Sequence, residues 1–219
     1  MSSRLRPFST YLFDLDGTLI DSIELIMSSF RHTMMAHLGE IPADHDWRSG
    51  FGTPLLTQLA RFARDADETE AMRSTYVEFN KVHHDRMVEA YPGIRDALED
   101  LCGPSTRLAI VTSKNRRSMR RGLRLCGLER YFDAFVTVDD VDQYKPHPAP
   151  VVEALSQLSS DPDEAIFIGD SPHDVAAGRA AGVQTAAVLW GPFPREELAR
   201  QEPHHWLTHP TEICSLPRL

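Results

Sequence analysis

The chain has 219 residues, 42% of them apolar and 25% charged, enough for one hydrophobic core with a small insertion. A formal charge of −9 excludes a general nucleic-acid binder, which would carry a basic surface. No apolar run reaches the ~20 residues that span a bilayer, and MSSRLRPFST has no apolar stretch behind its arginines to form a signal peptide, so the cytoplasm is the expected location.

The first expected element is the strand YLFDLD (11–16), apolar except for Asp14 and Asp16 near its end. Two carboxylates so placed are costly to bury. About ninety residues with almost no strand signal follow. Asp21, with Glu24 three residues on, resembles a capping box, and Ile23, Met27, Phe30, Met34 and Leu38 then share one helix face. HDWRSGFGTP reads as a loop leading to Pro54 in a helix first turn, followed by the stripe Leu55, Leu59 and Phe62. A third helix is expected from about Asp67 to Val88, with Met72, Tyr76, Phe79 and His83 on one face. His83 is therefore expected to pack in the core, and His84, about a hundred degrees round the helix, to be solvated. Tyr91-Pro92-Gly93 marks a break and a hinge.

From there helix and strand alternate. Helices are expected at Gly93–Leu101, Arg116–Cys126, Ala149–Leu158 and Val175–Ala181, and strands at 108–113, 134–139, 165–170 and 185–190. The strands are nearly continuous in apolar character, as strands covered on both faces are. The fold class is therefore α/β: a Rossmann-like parallel sheet with helices on both faces, built from 1–19 and 90–219, and interrupted by an all-helical domain at 20–89. Cys102, Cys126 and Cys214 fit no metal pattern and read as buried thiols. KNRRSMRRGLR (114–124) reads as the solvated face of a helix whose apolar side is Met119, Leu123 and Cys126, with Lys114 as the member facing a ligand. His204, His205 and His209 read as surface residues, and Trp190 and Trp206 as packed ones.

Four of the strands lead into polar residues suited to phosphate chemistry: Asp14 and Asp16, Thr112 and Ser113, Lys145, and Asp170. In an open parallel sheet these converge outside the carboxyl ends of the strands. Asp14 and Asp170 can hold a Mg²⁺ that keeps several waters, and a carboxylate can attack phosphorus. Asp16 can protonate a leaving group and later deprotonate water. Thr112 and Lys145 can hold and neutralise phosphoryl oxygens, and Gly17 lets the backbone approach a phosphate closely.

DLDGT, VTS, KPHP and GDSPHD, in this order, resemble the four motifs of the haloacid dehalogenase-like hydrolases, and the resemblance covers essentially the whole chain. It implies that Asp14 is a nucleophile, Asp16 an acid/base, and Thr112 and Lys145 phosphate binders. It also implies a Mg²⁺ held by Asp170, the Asp14 carboxylate and the Asp16 backbone carbonyl, with Asp174 supporting it through water. An aspartate at position 16 marks the phosphatase branch, and the helical insert is similar to the family's type-one cap. RSGFGTPL (48–55), SSFRHT, FNKVHHDRM and VTVDDV resemble the small bacterial inorganic pyrophosphatases of this superfamily, and less closely the phosphoglycolate phosphatases. Gly17, Thr18, Ser113, Lys114, Arg48 and Gly52 are the candidates for contacting the substrate. The expected partner is pyrophosphate or a small phosphorylated compound, bound by a monomer or homodimer. Phosphosugar hydrolysis or mutation is a further enzymatic reading. A receiver-like phospho-acceptor module would share an acceptor Asp, a Thr/Ser and a Lys, but lacks the second aspartate and needs no such insert.

Overall fold

The computed structural model describes residues 8–217; most of the N-terminal stretch weighed for a signal peptide lies outside them. Among these described residues the strands are β1 (Thr10–Phe13), β2 (Ile20–Asp21), β3 (Glu89–Ala90), β4 (Arg107–Val111), β5 (Ala134–Val136), β6 (Ala165–Gly169), β7 (Gln184–Val188) and β8 (His205–Leu207). The α-helices among the described residues are α1 (Ile23–Leu38), α2 (Asp44–Arg48), α3 (Leu55–Leu59), α4 (Ala66–Met87), α5 (Ile94–Leu101), α6 (Arg116–Leu125), α7 (Ala149–Leu158), α8 (Pro172–Ala180) and α9 (Arg195–Ala199).

Six strands make one sheet in the order β5-β4-β1-β6-β7-β8, and every pairing in it is parallel. The chain builds outward from β1 on one side, then crosses to β6 and builds outward on the other. The order therefore reverses beside β1, where α/β sheets open a crevice. Residues of β1 alternate between two cores. Tyr11 and Phe13 pack with Ile94, Leu98, Met119 and Leu123 of α5 and α6. Leu12 faces the other way, against Val151, Ala154 and Leu155 of α7 and Ala177 of α8. Burial on both faces explains why these strands read as unbroken apolar runs.

The segment between β2 and β3 is helical, and those two short strands pair antiparallel where the chain leaves and re-enters the sheet domain. Its core is Met27, Phe30 and Met34 of α1, Trp47 of α2, Leu59 of α3 and Met72 and Tyr76 of α4, continuing into Phe193 and Leu198. Trp47 stacks on Phe30 with ring centroids 4.5 Å apart.

Several local expectations are corrected. HDWRSGFGTP is not all loop, because Asp44–Arg48 forms α2 and turns Trp47 inward. Asp21 lies in β2, and Ser22 takes the N-cap position of α1 without a side-chain capping bond, its hydroxyl being bonded to Asp16 instead. The histidine pair is reversed: His84 is 3% exposed while His83 is only half-buried. The buried side of α4 runs Met72, Tyr76, His84, at steps of four and eight residues, whereas the expected stripe turned off at Phe79. The polar C-terminal stretch supplies a sixth strand, β8, in which His205 is half-buried against Phe8, and His204 Nδ1 accepts from Thr185 N at 3.1 Å. Cys102 ends α5 exposed rather than buried, while Cys126 is buried as expected.

Candidate active site

The strand register sets the site. Phe13 is level with Ile110 of β4 and Ile168 of β6, so Asp14, Thr112 and Asp170 emerge side by side just past the ends of three adjacent strands. Asp14 N still donates to Ile168 O at 2.9 Å, which fixes its side chain over the crevice. Thr112 N donates to Val136 O at 3.0 Å and holds the next strand end in the same way.

Lys145 reaches in from the loop after β5 and is almost wholly buried. Its Nζ donates to Asp14 Oδ1 at 2.7 Å, to Asp174 Oδ1 at 2.6 Å and to Val111 O at 3.2 Å. Three acceptors satisfy its three N–H groups. Asp174, in the first turn of α8, has its other oxygen in a capping box, accepting from Ser171 N at 3.0 Å and Ser171 Oγ at 2.6 Å. Both its oxygens are thus engaged, and Asp174 is fixed rigidly beneath the crevice. Asp170 accepts from Thr18 Oγ1 at 3.2 Å, and Thr18 O in turn accepts from Trp190 Nε1 at 2.9 Å. Gly17, with φ of 77°, turns the chain beside Asp170; a Cβ there would lie 2.4 Å from Asp170 Oδ2, so only glycine fits.

Ligand oxygens of Asp14, Asp170 and Asp174 lie within 4.8 Å of one another. Three buried carboxylates share one buried ammonium, and their titration reflects that imbalance. Burial, together with the charges of Asp174 and Asp16, outweighs Lys145 and lifts Asp14 to about 7. Burial also raises Asp170 well above the ordinary carboxylate value, with Asp14 and Asp174 adding to the effect. Burial opposes the charge on Lys145, but Asp14 and Asp174 outweigh it and hold the ammonium above its usual value. A divalent cation suits such a cluster, because hard carboxylate oxygens are its preferred ligands and its charge removes the excess.

Asp16 stands apart from this cluster. Its Oδ1 accepts from both Ser22 Oγ and Lys114 Nζ, which engages both lone pairs of that oxygen and leaves Oδ2 unbound among the described contacts. Its carboxylate is not among the clustered ligands, so only its backbone carbonyl remains for the ion in the expected metal set.

The expected substrate contacts divide. Thr18 is fully buried with its hydroxyl on Asp170, a support for that carboxylate rather than a surface facing a ligand. Ser113 Oγ donates to Gly52 O at 2.5 Å, joining the helical segment to the sheet domain. Gly52 has φ of 89°, and a Cβ there would lie 2.8 Å from Ser171 Oγ and 3.3 Å from His173 Cδ2, so its loop presses onto the strand ends. Lys114 faces Asp16. Arg48 ends α2 exposed, and among the described residues it makes no hydrogen bond or ion pair with the acidic cluster. Ser22 and Trp190 escaped sequence reasoning as parts of the site, and neither had a usable signal. Ser171, at the polar end of the fourth expected strand, forms the capping box that the S-x-x-D spacing of GDSPHD allows.

Residues 11–188 match the family model described as haloacid dehalogenase-like hydrolase. A pyrophosphatase PpaX of Bacillus pumilus is 40% identical over 208 residues, covering 95% of this chain and 95% of that protein. A pyrophosphatase PpaX of Anoxybacillus flavithermus is 38% identical over 208 residues, covering 95% and 96%. Among solved structures, a haloacid dehalogenase-like family hydrolase of Streptococcus pneumoniae superposes with a TM-score of 0.81 at 27% identity, covering 95% of this chain and 97% of that one. Among the described residues no helix is long and apolar enough to cross a membrane. Such a match over most of the chain, on a parallel sheet whose strand ends gather three acids and a lysine, makes this protein a member of the haloacid dehalogenase-like hydrolase family.

Proposed function

We propose that the protein is a Mg²⁺-dependent inorganic pyrophosphatase that works through an aspartyl-phosphate on Asp14, with residues 20–89 acting as its cap. The observation that carries this reading is the buried Asp14, held by Lys145 through Oδ1 at 2.7 Å beside Asp170 and Asp174 at the reversal of the strand order. With Oδ1 so held, Oδ2 is the oxygen that attacks phosphorus. The bridging P–O bond breaks, and the departing phosphate takes a proton from Asp16. Water then attacks the phosphoryl group on Asp14 while Asp16 takes its proton, which releases the second phosphate and restores the Asp14 carboxylate and the protonated Asp16.

Lys145 lies beneath Asp14 and keeps that oxygen in place through both steps. Thr112 Oγ1, which already accepts from Lys114 N at 3.2 Å, has its O–H left to donate to a phosphoryl oxygen. The anchors on Asp16 Oδ1 turn Oδ2 to the proton-carrying role. Asp14 and Asp170 would hold the Mg²⁺, which would supply positive charge that lowers the repulsion between the carboxylate and the anionic substrate. Pyrophosphate as the substrate is supported by the names of relatives close to 40% identical, and by a cap loop seated so near Ser171 that it favours a small substrate.

Phosphate release with Mg²⁺ from pyrophosphate, 2-phosphoglycolate and several sugar phosphates tests the reading. We expect the highest kcat/KM with pyrophosphate and none from Asp14→Asn. A higher kcat/KM with another compound would overturn the substrate, and an active Asp14→Asn the mechanism.

A further inference from the structure

The basic run on α6 takes no part in the chemistry above. Arg117, Arg120, Arg121 and Arg124 stand three or four positions apart and so share one side of the helix. With Asp85 of α4 and Leu125 they line a groove of about 600 Å³ where α6 meets the end of the cap helix. A cavity of that volume is typical of small-ligand sites. None of its lining residues belongs to the strand-end crevice.

Two carboxylates offset part of the charge. Glu129 accepts from Arg120 Nη1 at 3.0 Å and from Arg124 Nε at 2.7 Å. Asp85 Oδ1 accepts from Arg121 Nε at 3.0 Å and lies 2.9 Å from its Nη2. Arg117 is exposed and, among the described residues, makes no hydrogen bond or ion pair. Two positive charges are therefore left over, and most N–H groups of the four guanidinium forks remain free to donate.

Such a row is unfavourable by itself. Like charges three and four apart repel on a helix, and a solvated face commonly mixes its signs, as Glu70 and Arg73 do on α4. The whole chain carries −9, so solubility calls for no cluster of cations here. All four are arginine, whose flat fork pairs with phosphate oxygens two at a time. A multiply charged phosphate anion would relieve the repulsion and occupy the free donors. Two features narrow the occupant. Among the described residues that line the groove there is no aromatic ring on which a base could stack. The acidic remainder of the molecule would repel a long polyanion that overran the groove.

We propose that this groove is a second anion site, holding a short inorganic polyphosphate. Arg117 and Arg124, the exposed members, are its main donors. Arg121, which also holds Asp85, brings the ligand against the cap as well as the core helix.

The test titrates tripolyphosphate calorimetrically into the full chain in chelator, where the acidic cluster has no cation to attract an anion. We expect saturation at one tripolyphosphate per chain. Affinity should fall by about tenfold or more in Arg117→Gln/Arg124→Gln. Arg117→Gln alone should also weaken binding, and it removes no protein contact. Arg64→Gln/Arg73→Gln takes the same charge from outside the groove and should bind as the wild type does. Sulfate should bind at least about tenfold more weakly, having one anionic centre for the row of forks, and ATP no more tightly than tripolyphosphate. No saturation at millimolar tripolyphosphate, undiminished affinity in the Arg117 variants, or equal weakening by the Arg64/Arg73 pair would each overturn the proposal. So would sulfate binding as tightly, which would mean charge screening alone, or ATP binding more than about tenfold tighter, which would make this a nucleotide site.

Discussion

Without a bound cation, Asp14 should make the folded protein less stable as the pH rises. Its carboxyl moves from 3.8 to about 7 in the fold, chiefly through burial. A group whose folded value is raised keeps its proton in the folded state after the unfolded chain has lost it, so stability falls with pH between the two values. At about 1.4 kcal/mol per tenfold change in proton affinity, the full penalty is about 4 kcal/mol, reached near pH 7 and vanishing towards pH 4. For a chain of this size that is a melting-temperature difference on the order of 10 °C. The perturbation is Asp14→Asn, which keeps an oxygen for Lys145 but cannot ionise. The assay is thermal unfolding of both proteins in chelator, from pH 4 to 8, repeated with Mg²⁺. Near pH 4 the two should melt together. By pH 7.5 the variant should be the more stable, and Mg²⁺ should close the gap by stabilising the wild type. A gap that is absent or constant across the range would refute the claim that burial of an unneutralised Asp14 strains the site. A gap that Mg²⁺ leaves unchanged would refute the assignment of the cluster to a divalent cation.

Lys145→Met at pH 8 should cost about 3–5 kcal/mol in chemical denaturation, since it leaves Asp14 and Asp174 buried without their shared ammonium; wild-type stability would show the pair to be neutralised otherwise. Asp16→Asn should slow turnover by about 10²-fold or more at unchanged melting temperature, and a wild-type rate would remove Asp16 from acid/base work. Gly52→Val forces a branched side chain into φ of 89° and against Ser171 Oγ, so KM should rise by about tenfold while the sheet domain keeps its stability. An unchanged KM would mean that this loop does not face the substrate.

The parallel sheet was legible because its strands are buried on both faces and therefore apolar without interruption, as Tyr11, Leu12 and Phe13 illustrate. The residues at the strand ends were legible for the same reason, since charge at the end of such a run stands out. β8 was not, because an edge strand has one partner and tolerates His205 and Trp206 half-buried. β2 and β3 are two residues each, too short for any periodicity. Thr18 and Ser113 were read as substrate contacts, but their hydroxyl partners, Asp170 and Gly52 O, lie 152 and 61 positions away. Such pairings depend on tertiary approach, which spacing along the chain does not encode. The histidine pair failed at a smaller scale. The buried side of a long helix shifts where its neighbour changes, from α1 beside Met72 to α6 beside His84.

The placement of Asp16 has a consequence for how the two halves of the molecule work together. Asp14, Asp170 and Asp174 are anchored entirely by sheet-domain groups: Lys145, Thr18 and Ser171. Asp16 is anchored otherwise. Ser22 lies at the junction of β2 with α1, where the chain enters the helical segment, and its hydroxyl binds the same oxygen as Lys114. Asp16 itself bridges to Ile20, the residue that pairs with Ala90 where the chain returns. Movement at that two-stranded junction therefore disturbs the partners of Asp16 while leaving the nucleophile and its lysine in place. In the proposed reaction, this divides the labour: phosphorus and metal are held by rigid strand ends, and the proton carrier is held by the hinge. On that reading, a displacement of Ser22 with the helical segment would loosen the Asp16 carboxylate while Lys145 still holds Asp14.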